Sequence, residues 1–464
     1  MSTEARPERA SVRLSPRTIV LYAIGSLGTG GYATLPGLVL TYFLTDNLGV
    51  AALAAGLIVT AAKIWDVVID PLIGAASDRQ LARTGSRRGF MVTGALALPL
   101  FFALTFAVPP SWGPVAGAIS VLLAFLATAT AFSLFQVPYV ALPAELTGSY
   151  DERTRLLGWR VVVLTAAILL FGAGGPALRN AGSDPVLGYL LMGIASGLVI
   201  GIGMLIASRT ADVASRRTAN APAAPVASST WRDQYMSGFR ALGRSQPFRA
   251  LLGTFVLQAL ATGTMLAGAQ YVATWVLRSE DAVTFVFVAL VGPALLATPA
   301  WTVVARRIGK ERAFAIASVL FTAAAATLVI AVWTPGAWIY ASVAVAGIAY
   351  AGLQSLPMAM LPDVISHDER TSGPGQAGTF TGIWTAGETV GFALGATAVS
   401  LTLAVTGYVS TVAGATVKQP EAAITGIVLS FSILPAVLMA ASLLTLRHYR
   451  LRREDIDAAT TADA

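Results

Sequence analysis

KIWDVVIDPLIGAASDRQLARTGSRRG, residues 63–89, opens as an apolar helix carrying three charges and closes as an arginine-rich loop. Lys63, Asp66 and Asp70 are spaced by three and four residues, which sets them on one face of a helix. The chain around them is apolar from about residue 50 to 78, long enough to cross the hydrocarbon core of a bilayer. A charged group inside such a span costs about 2.5–3.5 kcal/mol on insertion scales. Charges persist there mainly where they face a cavity or one another. The stretch predicts a membrane-spanning helix with a working charged face, followed by a loop held at the membrane surface.

The rest of the chain agrees. It is 464 residues long, 55% hydrophobic and only 12% charged, about half the charged fraction of a soluble domain. Its mean hydropathy is +0.70. There is no cysteine, so disulfides, thiol nucleophiles and cysteine-ligated metals are excluded. No short apolar core with a small-residue cleavage site follows the polar first 17 residues, so no cleaved signal peptide is expected.

Apolar runs broken by polar clusters number twelve, near residues 18–45, 50–78, 89–108, 113–143, 155–178, 186–208, 249–278, 282–306, 312–333, 337–362, 377–407 and 423–446. The apolar residues are contiguous and do not alternate, which excludes barrel strands. Residues 209–248 form the largest polar interruption, a Pro/Ala/Ser stretch flanked by arginines, and read as a linker. The expectation is an all-α membrane protein with twelve transmembrane helices in two six-helix bundles, 18–208 and 249–446. Tails over 1–17 and 447–464 complete the organisation.

Lys and Arg are retained on the cytoplasmic side. With the N-terminus inside, Arg6, Arg9, Arg13, Arg17, Arg79, Arg83, Arg87, Arg88, the central linker, Arg306, Arg307, Lys310, Arg312 and the arginines of the tail all lie inside. Only Arg179, Arg278 and Lys418 lie outside. Both termini are therefore expected in the cytoplasm of a bacterium, with the chain in its inner membrane. The net charge of +7 then suits an anionic leaflet and does not call for nucleic acid.

Two carboxylates at i,i+4 beside one cation suit a Na⁺ site at Asp66 and Asp70, or a proton-exchanging pair. The competing reading is that Lys63 neutralises Asp66 and the trio pins helix packing. Pro71 favours the functional reading, because proline removes a backbone donor beside the carboxylates. Glu388, in IWTAGETVGFALG (383–395), is a second intramembrane acid, fit to bind substrate or cation or to hydrogen-bond another helix. Gln136 precedes Pro138 and Tyr139 at an expected kink. Arg160 sits a turn inside the membrane edge, reaching a central cavity or snorkelling back to the surface. Of Trp65, Trp275, Trp301 and Trp384, the last lies one turn from Glu388 and is the candidate to stack on a ligand. His367 and His448 lie at membrane edges, so neither is a metal or proton-relay candidate. Without cysteine or a well-placed histidine, no enzymatic constellation forms.

The loop GAASDRQLARTGSRRG (74–89) is similar to the major facilitator signature, Gly-x-x-x-Asp-Arg followed by Gly-x-Arg-Arg. Gly74, Asp78, Arg79, Arg87 and Arg88 are the residues that match. As a gate, Asp78 would pair with a basic residue or cap a helix N-terminus across the bundle. A merely topogenic loop would need the arginines but neither Gly74 nor Asp78.

A narrower resemblance runs along nearly the whole chain. YFLTDNLGV (42–50), KIWDVVIDPLIGAASDR (63–79), QVPYVALPAELT (136–147), ERTRLLGWR (152–160), LPMAMLPDVISHDERTSG (356–373), GTFTGIWTAGETVGFALG (378–395) and GIVLSFSILPAVLMAASLLTLRHYRL (426–451) resemble the glycoside–pentoside–hexuronide:cation symporter family. The resemblance implies a major facilitator fold with a midplane site, alternating access, a small-molecule substrate and a coupling cation, Na⁺ or H⁺, with no cofactor. A monomer suffices for this architecture. Asp66 and Asp70 match the two carboxylates that hold the coupling cation in the family's melibiose carrier. Lys63 matches a basic residue there, and Arg160 an arginine lining the cavity. The sugar-binding aspartate of the melibiose carrier falls on Gly30, its fourth-span aspartate on Gln136, the following tryptophan on Val140 and its eleventh-span lysine on Thr389. The cation machinery is partly kept while the galactoside grip is absent, so the resemblance implies a glycoside or similar small polar solute and counts against a galactoside, with an amphipathic non-sugar compound as the alternative.

Overall fold

The helices begin and end where local chemistry dictates. Asp184 accepts from the amides of Val186 (2.9 Å) and Leu187 (3.4 Å), and Pro185 opens the helix that follows with its φ already set. Ser15 does the same for Pro16–Ile24. Gly85, at φ +70°, closes the helix that carries the three charges in the left-handed conformation that glycine alone adopts freely.

A computed structural model describes residues 13–147, 149–181, 184–218, 242–372, 377–415 and 417–451. The first half contains α1 (Pro16–Ile24), α2 (Ser26–Tyr42), α3 (Ala52–Thr84), α4 (Arg88–Phe106), α5 (Gly113–Leu146), α6 (Tyr150–Arg179) and α7 (Pro185–Ser208). A short α8 (Thr210–Thr218) leaves it. The second half contains α9 (Gln246–Tyr271), α10 (Ala282–Ile308), α11 (Lys310–Thr327), α12 (Trp338–Ser372), α13 (Ala377–Val405), α14 (Glu421–Phe431) and α15 (Ile433–Leu446). Most of the expected linker, 219–241, lies outside the described residues, as do residues 1–12 and 452–464 of the tails.

Among the described residues, eleven helical stretches are long and apolar enough to cross a membrane. The expected first span is divided at Gly25 into α1 and α2, 9 and 17 residues, each too short alone. Only glycine fits at that point, because an added Cβ would lie 2.6 Å from the Tyr139 ring. The twelfth span bends similarly at Ser432 between α14 and α15. By contrast, α3 runs on through Pro71, and α5 through Pro138 and Pro143.

The outward faces are apolar. Leu296 and Val405 are 84% and 79% exposed, an arrangement that lipid stabilises and water would not. Polar residues turn inward instead. Thr60 donates to Ala393 O (2.8 Å) and lies 2.5 Å from the Thr397 hydroxyl, tying α3 to α13 across the two halves.

The arginine-poor end, which holds the α2–α3, α9–α10 and α13–α14 connections, is closed by bonds between the halves. The Thr411 and Ala413 amides donate to Thr45 O (2.8 Å) and Asn47 O (3.1 Å), around an antiparallel bridge between Leu48 and Val412. Tyr408 donates to Asp46 at 2.6 Å, Asn180 donates to Asp281 at 3.0 Å, and Arg179 pairs with Glu280 at 3.6 Å. Among the described residues at the arginine-rich end, Arg87 pairs with Asp78 and Glu145, Arg88 with Asp212, Arg155 with Glu152, Lys310 with Asp363, and Arg244 with Asp368, each pair inside one half. The molecule is therefore tied shut at its arginine-poor end.

Candidate functional site

The predicted charged face of α3 forms a cluster. Lys63 Nζ lies 3.2 Å from Asp66 Oδ2, and the Tyr32 hydroxyl donates to both Asp66 oxygens, at 3.2 and 3.4 Å. The ammonium also sits 3.9 Å from the centre of the Tyr32 ring, a cation–π contact, and that ring stacks on Phe132 at 4.1 Å. Asp66 is buried and spoken for on both oxygens. Asp70, one turn on, is only half-buried, with the Ser133 hydroxyl beside it and with Oδ1 lacking a partner. The two carboxylates therefore differ: one is neutralised in place, the other keeps a buried oxygen without a hydrogen-bond partner.

Among the described residues no three His, Cys, Asp or Glu side chains gather as a metal cage. The oxygens at hand are two carboxylates, the Tyr32 hydroxyl and the Ser133 hydroxyl. That set fits a monovalent ion or a proton passing through, not a tightly chelated divalent metal.

Other candidates fall into two groups. Gln136 accepts from Thr29 at 2.8 Å and stays half-buried between α2 and α5. Arg160 turns inward, its guanidinium 5.5 Å from the Tyr139 ring centre and its Nε buried without a partner. Glu388 and Thr389 are half-buried on α13, with Tyr350 of α12 within electrostatic reach of the Glu388 carboxylate. A rise of 1.5 Å per residue places Asp66 and Asp70 about 9 and 15 Å below Thr60, and Glu388 about 14 Å below its partner Thr397. Glu388 and Asp70 thus occupy nearly the same depth on neighbouring helices.

Two expected cavity residues are instead core. Tyr139 is fully buried, donates to Tyr22 O at 2.8 Å, and stacks between Tyr22 and Phe135. Its hydroxyl pins α1 to α5. Trp384 is 1% exposed and stacked on Phe255 at 4.1 Å, so in this conformation neither indole face is open to a ligand. Burial of an aromatic depends on the helix opposite, which local sequence does not reveal.

The signature loop is anchored differently from the expectation of a contact across the bundle. Asp78 pairs with Arg87 at 2.6 Å inside the first half, and Arg87 also donates to Glu145 (2.6 Å) and Ser77 (2.9 Å). Burial works against the Arg87 charge, but the bonds to Glu145 and Asp78 outweigh it and raise its pKa above the ordinary arginine value. Arg88 reaches Asp212 on α8 at 2.7 Å. Gly74 is less constrained, since an added Cβ would meet only Val137, at 3.6 Å. No bond of Arg79 stands out. Glu145 is a residue the motif search missed, although a signal existed. LPAE (142–145) and LPDV (361–364) end the fourth span of each half, and Asp363 pairs with Lys310 at 2.6 Å as Glu145 pairs with Arg87. The two halves repeat the same anchor.

Residues 21–453 match the family described as MFS/sugar transport protein. An uncharacterised symporter of Synechocystis is 24% identical over 94% of both chains. A putative glycoside/cation symporter of Escherichia coli, YagG, is 25% identical, covering 96% of this chain and 94% of its own. A D-xylose-proton symporter structure superposes with a TM-score of 0.69 at 14% identity, over 94% of this chain and 98% of that one, and so shares the fold. A multi-pass chain built of two six-helix halves, with charged groups at mid-depth, belongs to the MFS/sugar transport protein family and is a transporter of the glycoside–pentoside–hexuronide:cation symporter group.

Proposed function

We propose that the chain is a cation-coupled symporter of a glycoside or similar small polar solute, with Asp66 and Asp70 holding the coupling cation. The observation that carries this reading is the open Oδ1 of Asp70, buried without a partner beside an Asp66 already bound by Lys63 and Tyr32. A carboxylate oxygen left bare inside a membrane protein is costly until a proton or cation reaches it. Asp70 exchanges the ion while Lys63 and Tyr32 hold Asp66 in place. Glu388 lies at the same depth on α13 in the other half, beside Tyr350. Gln136, Arg160 and Thr389 line the substrate path.

The arginine-rich end faces the cytoplasm of the inner membrane, by the retention of basic loops on that side. The state described is then closed to the outside. Cation and substrate each favour the occluded form, and neither alone stabilises it enough for the half-loaded crossing that would uncouple them. The names of relatives such as the glycoside/cation symporter support this substrate class.

The test is gradient-driven uptake of labelled glycosides into right-side-out vesicles, under imposed Na⁺ or pH gradients. Asp70→Asn should abolish accumulation against a gradient while leaving exchange down a gradient. Undiminished accumulation by both Asp66→Asn and Asp70→Asn sinks the site assignment. Outward pumping of apolar compounds, seen only in inverted vesicles, points to a proton-driven exporter instead.

A further inference from the structure

Gln258, on α9, is 2% exposed and anchored in a way that fixes its amide. Its Nε2 donates to the hydroxyls of Ser318 (2.9 Å) and Ser442 (3.2 Å). Each serine spends its own proton on a helix carbonyl, Ser318 on Phe314 O (2.8 Å) and Ser442 on Met439 O (2.7 Å). Both hydroxyls can therefore only accept from Gln258, which leaves Oε1 on the opposite side as an acceptor. That oxygen is buried and has no partner.

Gln258 lines a notch between α9, α12 and α13, together with Thr262, Tyr350, Gln354, Phe255 and Phe392. The space measures about 10 Å³, room for one water or one hydroxyl and no more. Its polar groups are complementary to a hydroxyl. The Tyr350 oxygen accepts from Gln354 Nε2 at 2.8 Å, so its proton is free to be donated. Thr262 gives its proton to Gln258 O at 2.9 Å and keeps lone pairs to offer. Phe255 and Phe392 give the notch apolar walls. Glu388 lies one turn from Phe392 on the same helix, which joins the notch to the substrate path.

We propose that this notch is a specificity subsite in the second half of the transporter, receiving one ring hydroxyl of the substrate, which donates to Gln258 Oε1 and accepts from Tyr350. The inference rests on the glycoside reading above and deepens it. It assigns hydroxyl recognition to Gln258 and Tyr350, at a place where no charged group is needed. A pocket built to hydrogen-bond a hydroxyl rejects the analogue that lacks it, because its own buried groups are then left bare.

The purified full chain is titrated with methyl glucoside, methyl xyloside, methyl galactoside and glucuronate, then with mono-deoxy analogues of whichever binds. Binding is read by intrinsic tryptophan fluorescence. Gln258→Leu and Tyr350→Phe should each weaken the best glycoside about tenfold or more. One deoxy analogue should bind the wild type as weakly as the parent sugar binds Gln258→Leu, with no further loss when the two changes are combined. Tyr350→Phe keeps the ring and the packing, so its loss reports the hydroxyl even where Gln258→Leu loosens the helices. Parent binding unchanged in both variants means that the notch holds only water and overturns the subsite, while the transport reading stands. A wild-type chain that binds none of the four sugars overturns the glycoside reading and the subsite together.

Discussion

The Asp46 carboxylate accepts a 2.6 Å hydrogen bond from the hydroxyl of Tyr408, and the two residues belong to opposite halves of the molecule. The bond is the centre of a small network. The Thr45 hydroxyl lies 2.6 Å from Asp46 and 2.7 Å from the Tyr271 hydroxyl, while Trp275 donates to the Tyr408 oxygen at 2.8 Å. First-half and second-half side chains thus share one carboxylate at the arginine-poor end.

If alternating access requires this end to open, Tyr408→Phe should favour opening. The ring still packs edge-on to Tyr271, so the change removes the hydroxyl's two bonds, the one to Asp46 across the halves and the one from Trp275 within the second half, and keeps the packing. A bond to a charged group contributes about 1.5–3 kcal/mol, which corresponds to about ten- to hundredfold in the closed-to-open ratio. The absence of cysteine makes the readout clean. Thr41 is 2% exposed on α2, so a Thr41→Cys reporter should react with an impermeant maleimide at least tenfold faster in the Tyr408→Phe background. Equal labelling rates would show that the bond does not hold the gate.

How much of this was legible beforehand depends on the range of each interaction. The spans and the shared face of Lys63, Asp66 and Asp70 follow from spacing along one helix, a local property. The Arg87 loop was legible as a basic motif. Asp46 stands in a quoted motif, yet its partner lies 362 positions away, and no local pattern pairs them. Gln258 is one polar residue in an apolar span, and only the two serines from α11 and α15 reveal which way its amide points. Tyr139 and Trp384 were misplaced for the same reason: the rings that cover them, Tyr22 and Phe255, come from other helices.

The two repeated anchors should differ in worth. Arg87 is 10% exposed and Glu145 15%, whereas Lys310 is 41% exposed. An exposed pair contributes roughly 0–1 kcal/mol, while breaking a buried one leaves a charge without compensation. Asp78 still holds Arg87 when Glu145 is lost, so Glu145→Gln should cost about 1–2 kcal/mol, and Asp363→Asn less than about 1 kcal/mol. Thermal midpoints in detergent should fall further for Glu145→Gln. The reverse order would contradict the ranking by burial.

Gly30 tests whether the lost galactoside grip can simply be restored. A Cβ there would lie 2.7 Å from Ala167 Cβ and 3.1 Å from Leu164 O, so α2 rests directly on α6. Overpacking of this kind costs about 1–3 kcal/mol. Gly30→Ala should lower the thermal midpoint, and Gly30→Asp should lower it more without conferring galactoside uptake. Melibiose accumulation by a stable Gly30→Asp protein would show that the helices part easily and that this contact does not set specificity.

The last prediction separates the two carboxylates of α3. Asp66 compensates Lys63, whose side chain is only 18% exposed, whereas Asp70 has an oxygen with nothing to compensate. Asp66→Asn takes from the Lys63 ammonium its 3.2 Å partner and leaves it the faces of Tyr32 and Phe125 and the more distant charge of Asp70. Losing one partner of a buried pair costs about 3–5 kcal/mol. Adding Lys63→Met removes the stranded charge and should return most of that stability, the signature of a coupled pair in a double-mutant cycle. Asp70→Asn should leave the thermal midpoint within error or raise it, because it replaces a bare carboxylate with a neutral amide. Coupling should follow the opposite pattern. The stable Lys63→Met, Asp66→Asn protein regains its fold but not full accumulation, and Asp70→Asn is stable yet unable to concentrate substrate. Were Asp70→Asn as destabilised as Asp66→Asn, both acids would be structural, and the exchange site would have to be sought at Glu388.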